Sequence, residues 1–265
     1  EQEHALPRLD GVLMDGDGGF AVLEREAFLV GFPRQLALFA NGDEAGAEHL
    51  GGGGGKNEAA GVDADAVVDA VTNRDRRAVA IQGDVSRESD VIRLFEQAEK
   101  QLGPIRALVN NAGTTGRITR VEDMTTAAMK KVLELNVLAT MMCSREAVRR
   151  MSTRRGGAGG VIVNISSIAP RIGSSNEFVH YAASKGAVDV WTWGLAREVA
   201  GEGIRVNAVA PGMIKTELHD AAGDPDRAER YAKTIPMGRS AEPEEVASAI
   251  IWMLSEEAGY CAGSI

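Results

Sequence analysis

Tyr181 and Lys185 stand four residues apart in "HYAASKGAVDVW", residues 180–191, a stretch that reads as the start of a helix. One helical turn separates them, so a phenol and an ammonium share a face. An ordinary tyrosine titrates near pH ~10, too high for a base at neutral pH. An ammonium beside it stabilises the phenolate and lowers that value, which makes the pair a candidate acid–base device. The chain holds only 3 tyrosines, so the place of this one asks for a reason. Two polar residues on a wet helix surface would look the same in isolation. The surroundings have to decide.

Such a pair needs elements that hold it over a cleft. From residue 57 onward strands and helices alternate. "AVAIQGD" (78–84), "IRALVNN" (105–111), "VIVNIS" (161–166) and "IRVNAVA" (204–210) are short apolar runs. "SRESDVIRLFEQAEKQLGP" sets Val91, Leu94, Phe95 and Ala98 at helical spacing, with Ser86 as the predicted N-cap and Gly103-Pro104 as the stop. A long helix is predicted from about Thr125 to Met151, and another carries Tyr181. "EPEEVASAIIWMLSEEAG" gives the last, with Pro243 near its first turn and Gly259 at its end. Strands apolar on both faces and separated by helices predict an α/β fold of one domain, a doubly wound, Rossmann-like parallel sheet.

Ligands bind such sheets at the carboxyl ends of the strands. At those ends stand Asp84, Asn110 to Gly113, Ser166-Ser167 and Pro211-Gly212. Ser167 could donate a hydrogen bond to a substrate oxygen and stabilise developing charge. Ser166 is its rival, because strand alternation turns only one of the two into the cleft. Asn136 interrupts the apolar segment "LELNVLAT"; it is either a buried asparagine satisfying backbone groups or a functional one.

The 265 residues are 44% hydrophobic and 25% charged, which suits a soluble globular protein with a sizeable core. A net charge of -9 argues against nucleic acid or an anionic membrane as a partner. Cys143 and Cys261 are the only cysteines, without metal-ligand spacing around them. With no signal peptide in the sequence, they point to the cytoplasm. "AFLVGFPRQLALFA" is broken by Pro33 and Arg34 and is too short to span a bilayer. Residues 1–56 differ from the rest. "DGVLMDGDGGF" and "NGDEAGAEHLGGGGG" are rich in Gly and Asp, and no strand–turn–helix pattern joins them, so an irregular segment is expected. "DGDGGFAVLERE" is no calcium loop: Gly19 stands where a ligand is needed and Phe20 where the glycine belongs.

"NNAG" (110–113), "NISS" (164–167), "YAASK" (181–185) and "RVNAVAPGMIKTEL" (205–218) occur in this order. Together they resemble the short-chain dehydrogenase/reductase family over residues 57–265, and within it the glucose-dehydrogenase-like and 3-oxoacyl-reductase-like members. The resemblance implies an NAD(P)-dependent oxidoreductase, a homotetramer, acting on a small carbonyl or alcohol. It implies Tyr181 as general acid/base, Lys185 as its partner and holder of the nicotinamide ribose, and Ser167 on the substrate oxygen. Asn136 would perturb its helix and hold a water that relays protons to the lysine. For NAD or NADP it implies Asp84 and Val85 at the adenine, and Asn110, Ala112 and Gly113 beside the cofactor. Pro211, Gly212, Ile214 and Thr216 would meet the nicotinamide end, and the stretch from Lys215 to Arg239 would form a substrate lid. Ser167 lies fourteen residues before Tyr181, where many members have thirteen.

One family feature is missing. The fingerprint Thr-Gly-x-x-x-Gly-x-Gly should fall near "LVGFPRQLALFANG", which offers Phe32, Pro33, Leu36 and Phe39 in place of phosphate-admitting glycines. "GGGGGKNE" stands where the choice of dinucleotide is normally made, and Lys56 is its only hint of a 2′-phosphate partner. Three accounts stay open: a shifted reading frame or an error in the recorded sequence, a divergent way of binding phosphate, or lost cofactor binding. The last would leave a non-enzymatic interaction protein on a dehydrogenase scaffold.

Overall fold

A computed structural model describes strands at residues 12–14, 20–22, 27–32 and 35–40, then residues 68–69, 71–73 and 77–265 apart from 217. The "GGGGGKNE" stretch with Lys56, and most of the rejected calcium loop, lie outside the described residues.

β1 (Val12–Met14) and β2 (Phe20–Val22) form a small antiparallel pair. The main sheet contains β3 (Ala27–Phe32), β4 (Gln35–Ala40), β5 (Arg77–Gln82), β6 (Ala107–Asn110), β7 (Gly160–Ile165) and β8 (Ile204–Val209). Its spatial order is β5-β4-β3-β6-β7-β8. β6, β7 and β8 run parallel to one another, as the alternating pattern predicts, and β4, in the stretch expected to be irregular, runs parallel to β5. β3 differs: it is antiparallel to both of its neighbours. The reason is chain length. Only Pro33 and Arg34 separate β3 from β4, whereas a parallel return needs a crossover of about a dozen residues or more. Four strands thus fall within the stretch expected to be irregular.

Helix α1 (Glu88–Leu102) follows β5. Ser86 is not its cap. Its N–H and hydroxyl both donate to Asp84 Oδ1, at 2.9 and 2.6 Å, and Arg87 takes the N-cap position. After β6, α2 (Thr126–Leu133) and α3 (Ala139–Met151) are joined by a π-helical turn, Glu134–Leu138, where one continuous helix was expected. The short α4 (Ala169–Ile172) and long α5 (Val179–Val199) follow β7. After β8 come α6 (Leu218–Ala222), α7 (Arg227–Ala232) and α8 (Pro243–Leu254).

Ile162 and Val163 are neighbours on β7 and therefore point to opposite faces, yet both are wholly buried. The sheet is covered on both sides. One core joins Leu94 and Phe95 of α1, Cys143 and Ala147 of α3 and Ala196 and Val199 of α5 to Leu108, Ile162 and Val206 of the sheet. Burying a side chain such as Phe95 contributes roughly 1.5–3 kcal/mol, enough to seat these helices against the strands that end at the site.

Candidate active site

The parallel strands β6, β7 and β8 all end at one edge, and their following residues wall a cavity of about 400 Å³. β6 delivers Asn111, Gly113 and Thr114, β7 delivers Ser166 and Ser167, and β8 delivers Pro211 and Gly212. α5 passes the same cavity with Tyr181 and Lys185 one turn apart. The pair therefore faces a cavity rather than a flat, wet helix surface.

Lys185 is buried, and its Nζ donates to the carbonyl of Ile165, the last residue of β7, at 2.6 Å. Burial lowers its pKa from the ordinary 10.5 to about 8, while the charge of Asp189 pulls the other way. Its Nζ lies 5.9 Å from the centre of the Tyr181 ring. Burial raises the Tyr181 phenol, and a hydrogen bond with Ser167 partly opposes the rise. The lowered phenol expected from the sequence is not found, because desolvation outweighs the help that the phenolate receives.

Both serines line the cavity, where alternation was expected to turn in only one; they lie just past the end of β7, and their bonds tell them apart. Ser166 is buried, with its hydroxyl donating to Asp189 Oδ1, whereas Ser167 engages the Tyr181 phenol and accepts from Ala169 N at 3.1 Å. Asn136 sits in the π-turn and is wholly buried. Its Oδ1 accepts from Thr114 N at 2.8 Å, and its Nδ2 donates to Thr114 O and Ser184 Oγ, both at 2.9 Å. Ser184 in turn donates to the Tyr181 carbonyl at 2.7 Å. Asn136 thus locks the β6 loop to α5 beneath the pair. Both Nδ2 hydrogens are spent on protein groups, while Oδ1 takes one of the two bonds it can accept.

Of the residues singled out in the sequence, Gly113, Ser167, Tyr181, Lys185, Pro211, Gly212, Ile214 and Thr216 meet around the cavity. Asn110 and Ala112 lie behind its wall. Asn110 Nδ2 donates to Ser144 Oγ and Asn164 Oδ1, at 3.0 and 2.7 Å. Asp84 and Val85 are off the cavity beyond β5; the Asp84 carboxylate holds Ser86 and pairs with Arg87 at 3.2 Å, and Val85 is buried. The sequence reading missed Glu242, Pro243 and Glu244 at the start of α8. The helix start was visible, but its approach depends on the long-range bridge of Ile214 to Ala241 and the Lys215–Glu242 ion pair at 2.6 Å. No local pattern encodes that pairing. His219 was also missed; its Nε2 lies 2.8 Å from the Ile214 carbonyl oxygen.

Gly113 shows how closely the parts fit. A methyl group on its Cα would stand 3.1 Å from Asn136 Oδ1 and 3.5 Å from Lys185 Nζ. Asn136 is held by three hydrogen bonds and has little room to give. Gly113→Ala should therefore destabilise the fold by about 1–3 kcal/mol, read as a lower urea midpoint at constant slope. An unchanged midpoint would show that the neighbours yield freely.

The family model described as enoyl-(acyl carrier protein) reductase matches residues 53–265. The chain belongs to the short-chain dehydrogenase/reductase family. An uncharacterized oxidoreductase of Escherichia coli, YgfF, is 47% identical over 198 residues, which cover 75% of this chain and 80% of that protein. Glucose 1-dehydrogenase 2 of Bacillus subtilis is 33% identical over 201 residues, 76% of this chain and 77% of its own length. Cis-4-hydroxycyclohexanecarboxylate dehydrogenase of Sinomonas cyclohexanicum is 37% identical over 203 residues, 76% and 79% of the two chains. As a short-chain dehydrogenase/reductase the chain is an oxidoreductase enzyme, and its family works with a nicotinamide dinucleotide. Among the described residues, no helix is long and apolar enough to cross a membrane.

The cavity suits the nicotinamide end of such a cofactor. Gly212 opens on free space and admits close approach, Lys185 presents a cation, and Thr216 presents a hydroxyl. At the diphosphate end, the stretch that should form a glycine turn into a helix forms the antiparallel β3–β4 pair.

Proposed function

We propose that this site exchanges a hydride between NAD or NADP and a small carbonyl/alcohol pair, with Tyr181 moving the proton. The observation that carries the reading is the meeting of Ser167, Tyr181 and Lys185 on one cavity wall, with Ser167 beside the phenol. The bound nicotinamide would supply or accept the hydride. Ser167 holds the substrate oxygen, and Tyr181 gives it a proton in reduction or takes one in oxidation. Burial keeps the phenol protonated at neutral pH, so the resting site is set to donate. Lys185 holds the ribose and, when charged, supports the phenolate. Asn136 fixes the loop and helix around it and, with a water, links Lys185 to solvent. Asp84, Val85, Asn110 and Ala112 back the cofactor's far side, and the chain up to Arg239 covers the substrate. The division into a divergent segment, 1–56, and a dehydrogenase domain, 57–265, belongs to the same proposal, as do a homotetramer and a cytoplasmic location.

The test is a panel of carbonyls and alcohols with each dinucleotide, followed by the absorbance of the reduced nicotinamide, on protein whose intact mass is measured. Turnover with one dinucleotide is expected. A matching 28.0 kDa mass together with micromolar dinucleotide binding would show that the glycine fingerprint is dispensable. A matching mass with neither binding nor turnover would overturn the reading. A different mass would show that the protein tested departs from this sequence, and peptide masses would say whether the departure lies ahead of residue 57.

A further inference from the structure

The α6–α7 segment closes one side of the cavity through Leu218 and His219. A buried cation ties it to the chain entering α5. Arg227 on α7 is only 8% exposed, and its guanidinium lies 5.0 Å from the Phe178 ring and 4.8 Å from the Tyr231 ring. Its Nη2 donates to Glu177 Oε2 at 2.5 Å, and the other Glu177 oxygen accepts from the Tyr231 hydroxyl at 2.8 Å. On the far side Asp224 Oδ2 stands 3.9 Å from Nη1 and also accepts from Arg230.

Glu177 and Phe178 are the two residues before α5. The Phe178 ring meets the Tyr181 ring edge-on, centres 6.5 Å apart and planes at 73°. Just upstream, Ser174 and Asn176 hold left-handed φ values of 46° and 64°, a conformation that a serine adopts reluctantly. Two backbone bonds brace the same junction: Thr119 N donates to the Glu177 carbonyl at 3.1 Å, and Ile118 N to the Ala222 carbonyl at 3.3 Å.

A partly buried ion pair such as this is a poor source of stability, since apolar side chains of equal volume often serve as well or better. What it supplies is one defined geometry. We propose that Arg227 and Glu177 are positioning residues whose clamp holds the α6–α7 segment over the cavity and, through Phe178, sets the Tyr181 ring. The role of Tyr181 in this proposal rests on the oxidoreductase reading above.

The experiment compares wild type with Arg227→Gln, Glu177→Gln, the double variant and Arg227→Lys. Glu177→Gln keeps the volume and an acceptor for Tyr231, so it preserves the fold if the others do not. Two readouts are taken: the rate of tryptic cleavage after the exposed Lys233, and kcat and KM on the panel's best substrate. Each single Gln variant should be cut about tenfold faster and lose about tenfold or more in kcat/KM, with KM raised and kcat lowered together. The double variant should be no worse than either single, because the two residues act as one unit. Arg227→Lys should keep part of the activity. Additive losses, or a lower melting temperature with unchanged cleavage and kinetics, would overturn the proposal and leave a merely structural ion pair. If wild type turns nothing over, the oxidoreductase reading fails. The cleavage rates alone then decide the clamp: faster cutting supports it and unchanged cutting overturns it.

Discussion

Tyr181→Phe should fold normally and lose about 10²–10⁴-fold in kcat, the usual contribution of a positioned acid–base group. The substitution removes one oxygen. The ring keeps its edge-on contact with Phe178, and the backbone carbonyl still accepts from Ser184. Ser167 loses a partner but keeps its bond from Ala169 N, so the β7 end should stay in place. Dinucleotide affinity should be nearly unchanged, because what is lost is the transferable proton. Retention of more than about a tenth of the activity would remove Tyr181 from its role, given the range expected for such groups.

Lys185→Met should slow alcohol oxidation at neutral pH about tenfold or more and move its pH profile about 1 unit or more towards alkaline values. Oxidation needs the phenolate. Burial already raises the phenol, and removing the nearby cation deprives the phenolate of its support. Reduction uses the protonated phenol and should keep a flatter profile. The native lysine, lowered to about 8, is mostly charged below that value and mostly neutral above it. Its lowered value also has a sign for stability. The unfolded chain holds this proton more tightly, so stability is fully present above 10.5 and is lost as pH falls through about 8. Met at this position should abolish that dependence. An unchanged rate profile with normal dinucleotide affinity would remove Lys185 from its part in the proton transfer.

Much of the site was legible because its parts are short and local. The Tyr181–Lys185 spacing is one helical turn, and the helix is there. Ser166 and Ser167 both lie past the end of β7 and both reach the cavity, so alternation did not separate them; their partners do, with Ser166 on Asp189 and Ser167 beside the phenol. Asn136 was conspicuous as a polar residue in an apolar run. Its true partners, Thr114 and Ser184, are 22 and 48 residues away and left no mark in the pattern. The start of α8 was read correctly as a helix, but its place on the cavity depends on Ala241 pairing with Ile214. The parallel sheet was legible wherever a helix returns the chain. It failed at β3, where two residues permit only a hairpin.

The π-turn at Glu134–Leu138 is, in terms of chain length, one residue more than a helix needs. A surplus residue taken up in a single wide turn leaves the helices on either side in phase, with Val132 before it and Ala139, Cys143 and Ala147 after it all still facing inward. The bulge is therefore a place where the chain's length and its packing are decoupled. Losing one residue there would spare the core and take away the loop's anchor, whereas losing one in the middle of α3 would rotate half of its inner face out towards water.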